Sequence, residues 1–560
     1  MKKHFSTLVA LLCFAFIQSK AQTPFNTMDS VDINNLHANV LMHGDMWYNP
    51  ITEKRRCYST NDSVNMSGGG GFWMSGYDAG GQLHAAAATY RTIGIDFWPG
   101  PLDGSGPLTY AASQNWSKIW KVNRTDIQYF QSLSLHTISN TPQSILTWPG
   151  KGNANAQGSG GATLTISNNM APFVDLNNNG VYEPLLGEYP DIKGDQALWW
   201  IWNDNGPTHT ATQGNPLGLE VHVMAYGYRR GTLIDNVIYY EYTLVNRSPN
   251  TYTNFRIAQW DEADIGEAPY FADFIGYDST WRMGIGYHGV NDDGPSAGHP
   301  LGFYGPHSVM SAITMIELPG DAGSSYVQPG CFNYFNNDAS YIGNPTIDTQ
   351  YNNYMRAKNK NGMHLKNDFT GGGTPSTGYG TGPDCNYVFS GDVASTSAWS
   401  ECGSNNNPGD RRFVFSSNDF TLNSGASQKL VLALIATNRG VEGCPHTTFD
   451  SIRIVADTAW GIYHHPLPVL SVANNAPIAS SGITLYPNPA GDKLFIENTG
   501  NSIVTAHIAI YNAIGQVTNV PMSMNGKKAQ ANISSLPQGV YYVIYRDDDH
   551  GQQIRKFVKQ

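Results

Sequence analysis

Asp175-Leu-Asn177-Asn-Asn179-Gly180-Val181-Tyr-Glu183 carries oxygen-bearing side chains at loop positions 1, 3, 5 and 9, with glycine at position 6. That spacing matches the opening of an EF-hand-type calcium loop. Calcium is a hard cation that takes six to eight oxygens, and alternate residues of a tight loop can turn theirs inward. Asp175, Asn177, Asn179 and Glu183 would ligate through side chains and Val181 through its carbonyl. Position 12 is Leu186, where the motif places a bidentate glutamate. Glu188, Asp191 or Asp195 would then supply the last ligand from the following turn. An asparagine- and glycine-rich turn without metal is the plainer reading of the same residues.

A second acidic stretch runs Asp261-Glu262-Ala-Asp264-Ile-Gly266-Glu267, followed by Asp273 and Asp278. Three readings are open. Asp264, Asp273 and Asp278 form a calcium site in a strand-connecting loop, or the charges are a solvated loop, or two carboxylates flank a scissile glycosidic bond. Gly284-Ile-Gly286-Tyr-His-Gly289 fits G-x-G-x-x-G, but Asp292-Asp293-Gly294-Pro295 allows no helix after it, so it reads as a glycine-rich strand edge. The chain contains no H-E-x-x-H, C-x-x-C or phosphate-binding G-x4-G-K-[ST]. Trp199-Trp200-Ile-Trp202 offers rings for stacking on sugars, although alternation along a strand sends half of them into the core. Cys57, Cys331, Cys385, Cys402 and Cys444 follow Cys13. Cys385 with Cys402 is the expected disulfide, Cys331 with Cys444 a second, and Cys57 is left over.

These groups need a scaffold, and composition says which. Charged residues are 14% of 560, against about 25% in an average soluble domain. Glycine, at 59 residues, and tyrosine, at 31, are abundant, which describes short strands and turns rather than helical bundles. In Asn236 to Asn246, Ile238, Tyr240, Tyr242 and Leu244 share one face and Glu241 and Thr243 the other, as in a half-buried strand. Leu219 to Tyr228, Arg412 to Ser416 and Lys429 to Thr437 are further strands. Gly302 to Gly380 reads as long loops. One helix is expected over 450–463, capped by Asp450, with Ile452, Val455, Ala456, Ala459 and Trp460 at helical spacing. The expected fold class is all-β: an elaborated sandwich, or two fused ones, over 22–465, a linker over 466–482, and a small immunoglobulin-like sandwich over 483–560. The formal charge of −11 excludes an ordinary nucleic-acid binder.

The two ends read as addresses. Lys2 and Lys3, the apolar run Leu8 to Ile17 and Ser19-Lys20-Ala21 form a secretory signal peptide over 1–21, too short to span a bilayer. Losing Lys2, Lys3 and Lys20 takes the charge from −11 to −14. No later stretch reaches transmembrane length. At the other end stand Tyr486-Pro487-Asn488-Pro489, Ile508 to Gln516 (IAIYNAIGQ), Leu536-Pro537-Gln538-Gly539-Val540-Tyr541-Tyr542-Val543 and Lys556-Phe557-Val558-Lys559. In that order they resemble the type A C-terminal sorting domain of the Bacteroidota type IX secretion system. The resemblance covers 483–560. It implies Sec export, passage through the outer membrane by the type IX machinery, and removal of the domain, often with attachment of the cargo to surface lipopolysaccharide.

Gly71-Phe72-Trp73-Met74-Ser75-Gly76-Tyr77-Asp78, Asp96-Phe97-Trp98-Pro99-Gly100-Pro101-Leu102, Trp202-Asn203-Asp204 and Pro408-Gly409-Asp410-Arg411-Arg412-Phe413 resemble a widespread group of secreted Bacteroidota proteins. That resemblance implies an exported cargo and brings no activity with it. The expected function is a non-catalytic secreted or surface protein, stabilised by calcium, that contacts a glycan or matrix ligand. The rival is a secreted hydrolase acting on polysaccharide or peptide.

Overall fold

The structure, a computed structural model, describes residues 25–560 apart from 51–53, 56, 60–64, 91–93, 103–105, 207–208, 267–271, 290–308, 322–325, 372–373, 394, 438–448, 466–482, 499–506, 513–516 and 548–550. The expected signal peptide and linker lie outside the described residues.

Two large antiparallel sheets face each other. In the nine-stranded sheet the order is Trp120–Asn123, Gln196–Asn203, Leu219–Gly227, Val237–Asn246, Ser427–Ala436, Ser311–Glu317, Met283–His288 and Asp273–Asp278, with Trp98–Pro99 beside the second. The ten-stranded sheet is built around Gly69–Tyr77, Tyr252–Ala263, Arg411–Ser416 and Cys331–Asn336. Ile238, Tyr240, Tyr242 and Leu244 enter the core between the sheets and meet Phe72, Met74, Ile257, Phe413 and Phe415 from the opposite one. Each fully buried side chain of this size contributes roughly 1.5–3 kcal/mol. The all-β expectation holds, and the body is one sandwich.

Both outer faces are also covered in part, which explains why Gln196–Asn203 is buried along its whole length. Leu198, Trp200 and Trp202 point into the sandwich. Ala197, Trp199 and Ile201 point the other way, into a second core shared with Ile452, Val455, Ala456 and Ala459 of the helix Asp450–His464. The Tyr239 hydroxyl donates to the Ala459 carbonyl at 2.7 Å. The helix falls where its spacing predicts, but Asp450 lies in its first turn and ion-pairs with Arg453 at 3.3 Å, and Phe449 holds the cap position without a side-chain bond. On the other sheet, Tyr351 and Tyr354 of the helix Asp348–Tyr354 pack on Trp73 and Phe335. That helix and the strands Ser311–Glu317 and Cys331–Asn336 replace the long loops expected over 302–380. Glycine and asparagine there mark turns between short elements.

The C-terminal unit is two four-stranded sheets. One orders Ile483–Tyr486, Lys493–Asn498, Lys528–Asn532 and Met522–Asn525, the other Val517–Thr518, His507–Asn512, Gly539–Asp547 and Gly551–Lys559. Its core contains Leu494, Ile496, Ile510, Tyr541, Val543, Tyr545 and Phe557.

Candidate functional site

The outer face of the nine-stranded sheet is left open over a cleft of about 750 Å³. Alternation along three neighbouring strands aims Trp199, His222, Glu241 and Thr243 at its floor. Lys151, Lys193 and Arg247 stand around it. Lys193 ion-pairs with Glu241 and lies 4.9 Å from the Tyr463 ring centroid. Glu220, wholly buried on the same face as His222, accepts from His222 Nε2 at 2.7 Å, Arg247 Nη2 at 2.8 Å and the Leu102 amide at 2.7 Å. Burial pushes the Glu220 carboxyl up, but those donors outweigh it and hold it below the usual glutamate range. The Glu220 bond also fixes the His222 ring and leaves Nδ1 for the cleft. The cleft thus combines one aromatic ring with three cationic side chains, two of them paired with carboxylates.

Of these residues only Trp199 was among the sequence candidates, as a ring for stacking on sugars. The available signal was the pair Glu220 and His222, two polar residues two apart inside the otherwise apolar strand Leu219–Gly227.

The structure brings four of the five loop residues at 175–183 together. Asn177 Nδ2 and Asn179 Nδ2 both donate to Glu183 Oε2, at 3.0 and 2.6 Å, and Asp175 Oδ2 accepts from the Gly180 amide at 2.8 Å. Asn178 and Gly180 take φ of 59° and 74° to make the turn, and the strand pair Phe173–Val174 with Tyr189–Pro190 closes it. The Val181 amide is bound to Asn179 Oδ1 at 2.7 Å. Glu188 is not directed at the oxygen cluster; its carboxylate accepts from the Leu176 and Glu183 amides at 3.0 and 2.8 Å and staples the loop ends. Asp195 ion-pairs with Arg230, and Asp191 lines the cleft.

The second acidic stretch is arranged differently from the expected loop. Tyr252–Ala263 extends through Asp261 and Glu262, so neighbouring carboxyls leave on opposite faces of a strand. Asp264 and Asp273 come together: burial and the Asp264 carboxylate hold Asp273 well above its usual range. Asp278 does not join them. It ends the same strand that Asp273 begins, bonds Arg453 Nε at 2.6 Å, and accepts from the Thr280 amide.

Both proposed cysteine pairs are overturned. Cys57, Cys331 and Cys385 are free thiols, and Cys402 is in a disulfide whose partner lies outside the described residues. Burial raises all three thiols, Cys385 to about 11, which keeps them protonated and unreactive.

Comparison with known proteins assigns the C-terminus. Residues 484–560 match the family described as the secretion system C-terminal sorting domain. That match marks the chain as type IX secretion cargo, bound for the cell surface or the medium. No curated protein matches the chain. Among solved structures a polysaccharide lyase aligns over 61% of this chain and 34% of its own, at 7% identity and a TM-score of 0.16. The chain thus spans about a third of that lyase, and the score is too low to carry an argument about fold or activity. Among the described residues no helix is long and apolar enough to cross a membrane.

Proposed function

We propose that the exported chain is a non-catalytic glycan-binding protein of the cell surface or its surroundings, and that the cleft on the nine-stranded sheet holds a polysaccharide chain bearing acidic groups. The supporting observation is the cleft itself: about 750 Å³, floored by Trp199, His222, Glu241 and Thr243, and flanked by Lys151, Lys193, Arg247 and Asp191. Lys193 and Arg247 are neutralised by Glu241 and Glu220, whereas Lys151 has no carboxylate partner among the described residues. Lys151 is therefore the residue to test. Lys151→Glu should weaken binding of polygalacturonate roughly three- to tenfold at low salt, measured by calorimetry, with the difference shrinking at high salt. Equal affinities for variant and wild type would remove the cleft from the reading.

Calcium in the Asp175 loop belongs to the same proposal, as a structural support. So does handover to surface lipopolysaccharide once the sorting domain is removed.

A second reading rests on His222. Its ring, held by Glu220 and presenting Nδ1 to the cleft, has the geometry of a general base. Under that reading the protein releases fragments from a bound polysaccharide, and His222→Gln abolishes release while binding persists. Under the first reading the polysaccharide is recovered at its original length.

A further inference from the structure

A second pocket lies on the opposite side of the molecule's core, on the outer face of the ten-stranded sheet. Register sets Trp260 across from Gly71 and Glu262 across from Gly69, with Arg412 on the far neighbour of Glu262. The two glycines lower the aromatic side chains onto the sheet. A Cβ at Gly69 would stand 2.6 Å from the Tyr90 ring, and one at Gly71 would stand 2.5 Å from Trp260 Nε1. Tyr90 and Trp260 then meet edge to face at 5.2 Å. Beside them, Thr89, Phe335, Asn337 and Arg412 complete a pocket of about 420 Å³, within the range of small-molecule sites.

Two features of the lining point to a ligand. Arg412 is nearly inaccessible, its side chain 6% exposed, yet its Nε and Nη1 make no hydrogen bond, and the Thr89 hydroxyl is buried without a partner too. Buried donors are almost always satisfied in a native protein. The single guanidinium there is already matched against two carboxylates. Arg412 Nη2 pairs with Glu262 and lies 3.4 Å from Asp410, and the Tyr90 hydroxyl donates to Glu262. An anion entering the pocket would face both carboxylates. A neutral molecule carrying oxygen acceptors can use the unfilled N–H and O–H groups without that repulsion, and a flat C–H face can rest on the aromatic walls.

We propose that this pocket binds a neutral sugar residue, one of whose oxygens accepts from Arg412 and Thr89 while its ring packs against Tyr90 and Phe335. The assignment does not rest on the cleft, and the two sites are separable by mutation. The test titrates the full chain with neutral hexasaccharides of β1,3-glucose, β1,4-glucose and β1,4-mannose, followed by calorimetry and tryptophan fluorescence. Saturable binding of at least one is expected. Thr89→Val, which keeps volume and removes the hydroxyl, should weaken it roughly five- to tenfold. Asn337→Trp, at the exposed rim, should block it, and Lys151→Glu should leave it unchanged. Should the rim variant misfold, Thr89→Val decides alone. Absence of binding to all three sugars by a cooperatively melting wild type overturns the proposal. So does binding that survives Thr89→Val and fails in Lys151→Glu, or a preference of this pocket for a hexagalacturonate.

Discussion

Asp261 shows what a single buried carboxyl does to this protein. Its neighbours Trp260 and Glu262 face the outer pocket, so alternation sends Asp261 inward, where it is 3% exposed and accepts from Ser67 Oγ at 2.7 Å. Burial lifts its carboxyl to about 8, against the pull of Ser67, with Glu262 adding to the rise. A folded-state value above the unfolded one means that the native chain holds the extra proton. The stabilisation is full below about pH 4 and is lost as pH rises toward 8. Denaturant melts between pH 5 and pH 8 should therefore show falling stability. Asp261→Asn, which imitates the protonated acid, should flatten that slope by an amount on the order of a few kcal/mol. A variant with the same slope as wild type would assign the pH dependence to other groups, Asp273 first. The same alternation explains what could be read here in advance. Asp261 and Glu262 stand out as acidic in any reading, but only pairing with Gly69 and Arg412 tells which of them takes the outer face beside Arg412 and which is sent to the inner one.

At the scale of elements, local pattern was a good guide for the longer elements. Val237–Asn246 and Asp450–His464 lie within a residue of their expected bounds because their apolar residues recur at strand and helix spacing. It failed where elements are short and set by distant partners, as with Asp348–Tyr354, whose place depends on Trp73 and Phe335 far away in sequence. The cleft was hidden for the same reason: Lys151, His222 and Arg247 come from separate segments that only the sheet order brings together. The Asp175 loop, being contiguous, was visible, and it supports a direct expectation. Added calcium should raise the melting temperature of the wild type relative to chelator by mass action. Asp175→Ala, which leaves only neutral Asn177 and Asn179 beside Glu183, should show a clearly smaller shift. Equal shifts would place any calcium elsewhere, and no shift in a metal-free wild type would withdraw the ion from the loop.

For the whole molecule the sorting domain sets the destination. The match over 484–560 predicts that a chain lacking 483–560 stops in the periplasm. Cell fractionation with immunodetection of the truncated and full chains checks this, and arrival of the truncated form at the surface or in the medium would refute it. The body it carries has its own constraint. Ser427–Ala436 is hydrogen-bonded on one side to Val237–Asn246 and on the other to Ser311–Glu317. It is thus a central strand of the nine-stranded sheet, supplied after every other member of that sheet. Until residue 436 has been made, the sheet has a gap in its middle and two raw edges facing it. Closure must wait on contacts between residues about 190 positions apart, the kind of contact that slows folding most. A chain built this way cannot complete that sheet before its last strand is supplied. An order of assembly, and not only a shape, is written into where that strand falls.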